Sequence, residues 1–77
     1  MQITRIEYDS PLDAIVAIAK RLSAYELRYK MTSENFSDQF NRGQLDDRLD
    51  FIEWANDYRH FLALKLDLEK VLNHATA

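Results

Sequence analysis

Glu53, Asp57 and His60 stand four and then three residues apart, a spacing that brings them onto one face of a helix. Two carboxylates and an imidazole are metal-ligand chemistry, and helical bundles build metal centres from such sets. No matching set stands on a second segment, and a solvated polar helix face accounts for these three as well. No metal and no cofactor are therefore expected. Other catalytic signals are thin: there is no P-loop, no dinucleotide glycine fingerprint and no nucleophile elbow. The chain has no cysteine, which excludes disulfides and thiolate ligands. His60 and His74 are single histidines with surface-type surroundings. The expectation is a protein that is not an enzyme.

Charge is more informative. The chain has 77 residues with 13 acids against 10 lysines and arginines, a net charge of −3. A general phosphate-backbone binder carries a basic excess instead. Residues 31–57 hold Glu34, Asp38, Asp46, Asp47, Asp50, Glu53 and Asp57 against only Arg42 and Arg48. Phe51, Trp54 and Tyr58 lie among these acids, and an acidic surface bearing aromatic rings suits a basic protein partner. The partner-binding set is accordingly Asp47, Asp50, Phe51, Glu53, Trp54, Asp57 and Tyr58. Acids at a helix start plus ordinary solubility charge would give the same composition. A small basic patch of Lys20, Arg21, Arg28 and Lys30 lies beside Tyr25 and Tyr29. It is offset by Glu26, and the tyrosines fit a core face better, so direct nucleic-acid binding is disfavoured.

One glycine and one proline in the chain leave little punctuation, which favours long helices. Residues 1–9 read as an extended arm or short strand with imperfect alternation. Ser10, Pro11 and Asp13 form a helix start, with serine at the cap and proline at the first helical position. That helix is expected over 11–30. Thr32 caps a second, short helix over 33–41, with Glu34 in its first turn and Met31 poised to staple onto Phe36. Gly43 supplies the left-handed stop. A final helix is expected over 47–74, acids clustered at its start and Lys70 and His74 near its end. The fold class is all-α: an antiparallel hairpin of two long helices with a short connecting helix, forming a dimeric helical bundle within a single domain. No run approaches the ~20 apolar residues of a membrane span, and no signal peptide opens the chain, so a cytoplasmic protein with no membrane association is expected.

The dimer expectation comes from the width of the apolar faces. Tyr25, Ile18, Tyr29, Leu22, Ile15, Ala19, Leu12, Val16 and Leu27 span an arc of roughly 200° on the first long helix, about twice what one contact uses. The last helix shows a similar arc from Leu68 through Phe61, Trp54 and Phe51 to Ile52. At about 40 Å it also overhangs a domain only ~30 Å across. Its final turns carry Leu66, Leu68 and Leu72. A homodimer covering them is the simplest remedy for a small chain without disulfides. Glu26 and Lys65 are the odd charges within the two arcs. Some 20 Å apart in one chain, they are expected to meet across the dimer and set its register, unless both simply reach water. The dimer set is Glu26, Lys65, Leu66, Leu68 and Leu72.

Tyr25-Glu26-Leu27-Arg28-Tyr29-Lys30-Met31-Thr32-Ser33-Glu34, then Phe36, Phe40, Gly43 and Leu45, then Asp50-Phe51-Ile52-Glu53-Trp54-Ala55, form a pattern over about residues 25–60. It resembles a group of small prokaryotic helical proteins, frequent in cyanobacteria and archaea, that sit beside toxins of the RelE or TumE type. The resemblance implies an antitoxin role, neutralising a small basic toxin, and supplies no catalytic residue. The function expected is thus a protein–protein interaction module, antitoxin-like. The alternative is a self-assembling structural or adaptor protein with no toxin partner.

Overall fold

In a computed structural model, which describes residues 11–75, three helices account for most of the chain: α1 (Pro11–Tyr29), α2 (Ser33–Asn41) and α3 (Leu49–Ala75). Among the described residues there is no strand. The expected N-terminal arm and the Ser10 cap lie outside the described residues. No helix there is long and apolar enough to cross a membrane.

Each boundary has a local cause. α1 stops one residue earlier than its apolar period, because Lys30 takes a left-handed conformation with φ 58°. That conformation costs a residue with a Cβ roughly 1–2 kcal/mol, so the break is held by the contacts that α2 makes beyond it. Thr32 caps α2 as its position requires, its Oγ1 accepting from the Asn35 N–H at 3.1 Å. At the other end Gly43, with φ 73°, closes the helix. Its N–H donates to the Phe40 carbonyl and that of Gln44 to the Gln39 carbonyl, the paired bonds of a Schellman stop. α3 begins two residues later than expected. The Asp46 carboxylate accepts from both the backbone N–H and the guanidinium of Arg48, which fixes 46–48 as a turn. The Arg48 carbonyl then accepts the first bonds of α3 from Phe51 and Ile52.

The two long helices pack on one another, and their contacts run in opposite directions along them: Tyr29 meets Asp50, Tyr25 meets Trp54, and Arg21 meets Asp57. Ile18, Leu22, Phe36, Phe51 and Trp54 form the buried core, with Tyr25, Tyr29, Met31, Phe40, Tyr58 and Phe61 packed around it. Trp54 is its centre. It is fully buried and stacks on Phe36, the ring centroids 3.9 Å apart, and on Tyr25 at 5.4 Å. On α3 the inward stripe is Phe51, Trp54, Tyr58, Phe61, Lys65, Leu68 and Leu72, at alternating steps of three and four. Its first half is buried or half-buried; Lys65 and Leu72 are exposed.

α2 explains that change. Its contacts lie with the part of α3 nearest the connection, Phe36 reaching Phe51 and Trp54. Among the described residues nothing equivalent covers the far half of the hairpin, where Val16, Leu62 and Leu66 stand 47, 45 and 52% exposed. The chain therefore leaves wet the surplus apolar surface anticipated from the wide arcs, Leu66 and Leu72 included, while Leu68 is half-buried. Replacing Trp54 by alanine should lower unfolding free energy by about 3–5 kcal/mol in urea titration. A loss under ~1 kcal/mol would contradict its central place.

Candidate interaction surfaces

Glu26 is the first polar residue to be placed. Its Oε2 accepts from the backbone N–H of Ser33 at 2.9 Å and from the Ser33 hydroxyl at 2.7 Å. The same hydroxyl oxygen accepts from the Trp54 indole N–H at 2.9 Å. A carboxylate on α1, the first residue of α2 and an indole on α3 are thereby joined in one chain of bonds. A free N–H at the start of α2 gains an anionic acceptor there, which the helix dipole also favours. Glu26 thus has partners within its own chain through Oε2, a role its place in the apolar arc did not reveal. Lys65 is exposed and borders the same groove as Glu26, between α1 and α3 below α2, without an ion pair to it among the described residues.

The proposed aromatic surface is corrected too. Phe51 and Trp54 are 5 and 0% exposed, so neither ring is available to a partner. Tyr58 is half-buried in the groove wall. Burial first, then the negative charges of Glu34 and Glu26, push its phenol above the ordinary value. The rings turn inward because α2 supplies Phe36 as a stacking partner on that side.

Most of the acids expected to form a surface are neutralised locally. Arg21 holds Asp57 with two bonds of 3.1 Å, and Asp50 accepts from the Tyr29 hydroxyl at 2.6 Å with Arg28 at 3.4 Å. Asp38 pairs with Arg42 and Asp46 with Arg48. Of the small basic patch, Arg21 and Arg28 are taken up in the same contacts, Lys20 and Lys30 are exposed, and Tyr25 and Tyr29 pack on the core. Burial is also the main reason the Tyr25 phenol is pushed up, followed by the charges of Asp57, Glu53 and Asp50. With Asp57 engaged by Arg21, the Glu53, Asp57 and His60 set does not converge. Among the described residues no group of three or more such side chains is placed to hold a metal ion.

Among the described residues two surfaces stand out. One is the outward side of the first turns of α3. Leu49 and Ile52, 66 and 42% exposed, lie on it, exposed Asp47 stands just before the helix, and Glu53 and Asn56 mark its edge, where they line a recess with Arg21, Tyr25 and Asp57. Leu49 escaped the sequence reading, which placed the helix start earlier and its aromatic rings outside. The other is the groove itself, about 300 Å³, with Leu22 and Phe61 among its walls, Glu34 and Glu26 toward α2, and Lys65 away from it. No family model, no curated protein and no solved structure matches the chain.

Two outcomes test this geometry. Ser33→Ala removes a buried hydroxyl that both donates and accepts, and should cost about 1–3 kcal/mol in chemical denaturation by leaving the indole N–H unpaired. Asp46, held by the side chain and then the backbone of Arg48, should titrate at about 2 rather than near 3.8. Because the folded value is the lower one, whatever this clip adds to stability is present above about pH 4 and is lost as the pH falls toward 2. Carboxyl chemical shifts followed by NMR would show the midpoint; one near 4 would mean that the clip is open in solution.

Proposed function

We propose that this protein is a non-enzymatic interaction module: an antiparallel hairpin of two long helices that presents the outward side of α3 to a small basic protein, in the manner of an antitoxin neutralising a RelE- or TumE-type toxin. The observation that carries this reading is the exposure of Leu49 and Ile52 beside Asp47, with Glu53 at the edge of the same patch. Apolar side chains at the centre of a patch supply the desolvated contact, and acids around them steer a cationic partner and hold it in register. This surface takes the place of the buried Phe51 and Trp54 in the acidic and aromatic site anticipated from sequence. Neutralisation requires only that the bound module occlude the toxin's RNA-contacting cations, and a rigid helix face suits that task.

The competing reading is a self-assembling structural or adaptor protein. It draws its support from the exposed Val16, Leu62 and Leu66, which carry no bias toward a basic partner. Calorimetric titration with the product of the adjacent reading frame separates the two. A basic toxin should bind with an affinity that falls as salt rises. Ile52→Ala and Leu49→Ala should each weaken it about tenfold or more, and Glu53→Lys should slow association, all with unchanged helical circular dichroism. Absence of binding at micromolar concentration in low salt would leave the adaptor reading.

A further inference from the structure

The groove between α1 and α3 has opposite charges at its two ends. Glu34, in the first turn of α2, stands at one end, and Lys65, on α3, at the other; both are exposed. Neither is in an ion pair among the described residues, and Glu26 beside Glu34 is occupied by Ser33. Between the ends the groove is lined by Leu22, Phe61 and Leu62 together with Ser23, and Leu62 is about half exposed, as are Val16 and Leu66 outside the groove. A surface that is positive at one end and negative at the other is its own complement in charge after a half-turn about its middle.

We infer that this groove is closed by a second copy of the chain, related by a two-fold axis through its middle, with Lys65 set against the partner's Glu34 twice over. The inference rests on the chain being an interaction module but not on a toxin partner, whose proposed contact lies on another side of α3. Rotation is what selects the arrangement. Stacking two grooves in the same direction would place Lys65 on Lys65 and Glu34 on Glu34, whereas the half-turn turns both repulsions into attractions. The same operation lays the Leu62 regions of the two copies against each other, so the apolar residues that α2 is too short to cover are covered by an identical surface. Lys65 then has a role that its place in an otherwise apolar stripe does not otherwise explain. It carries one end of the register, as single polar residues do in helical assemblies, and Glu34, rather than Glu26, carries the other.

Sedimentation analysis of the full 77-residue chain, from about 1 to about 200 µM and without any other protein, tests it. The expected result is a reversible dimer. Lys65→Glu, a change at an exposed position, should raise the dissociation constant roughly tenfold or more, and Glu34→Lys likewise. The double swap should return it to within about threefold of the starting value, because the attraction is restored with its signs reversed. Circular dichroism of each variant checks that α2 is intact; should Glu34→Lys loosen it, Glu34→Gln serves in its place, and Lys65→Glu alone still decides. A chain that stays monomeric over the whole range overturns the inference and gives the groove to a different protein. So does a dimer that neither single swap weakens. Since no toxin enters the experiment, either failure is distinct from failure of the antitoxin reading.

Discussion

The three helices meet at a carboxylate. Glu26 lies seven residues before the serine it serves, far enough that α1 has ended and the chain has turned at Lys30 before Ser33 begins α2. For the carboxylate to accept from both the backbone and the hydroxyl of Ser33, α2 must fold back against the end of α1. For that hydroxyl oxygen also to accept the Trp54 N–H, α3 must lie across them with its indole pointing inward. An α-helix of nine residues has little stability alone, so α2 exists because these bonds and the Phe36 ring hold it. The left-handed Lys30 is tolerated for the same reason, its strain being small beside the contacts it permits.

From this junction the distribution of charge follows. Once Trp54 faces inward, Phe51 must as well, and Asp50 and Asp57 fall along the flank where α1 runs. Arg28 and Arg21 stand opposite them and tie the helices together on one side. These pairs are partly exposed, and such bridges contribute little stability on their own; what they do is fix alignment. The acids of this segment outside that pairing are Asp47 before α3 and Glu34 at the start of α2, while Glu53 borders the flank that Arg21 and Tyr25 face. An acidic middle segment thus becomes two small, separate features, each next to exposed apolar side chains.

Much of this was legible in the residues. Thr32 and Gly43 mark boundaries that the structure places within a residue, because each acts through its own backbone geometry and needs no distant neighbour. The surplus of apolar surface was legible also, since an arc wider than one contact is wide whatever packs on it. The direction of the aromatic face was not. Periodicity puts Phe51, Trp54 and Tyr58 on one side of a helix but is silent on whether that side meets protein or water. The answer depended on Phe36 and Ser33, brought there by α2. The role of Glu26 was hidden likewise, because a charge within an apolar arc reads as an intruder until its acceptor oxygen is seen to cap another helix. Asp46 delayed the start of α3 through a side-chain bond that competes with helix formation, a local effect that acid clustering alone does not reveal.

The length of α3 has one more consequence. It is a single unbroken helix of 27 residues whose surroundings change along its course, from a tryptophan with no exposed surface to Val71 and Leu72 with more than half of theirs in water. Backbone amides near Trp54 can exchange with solvent only when the helices part, whereas those of the last turns need no more than local fraying. Opening should therefore advance inward from the C-terminal end and halt near Leu64, where packing on the core begins. One rod thus behaves as a fixed half and a yielding half, joined without a hinge.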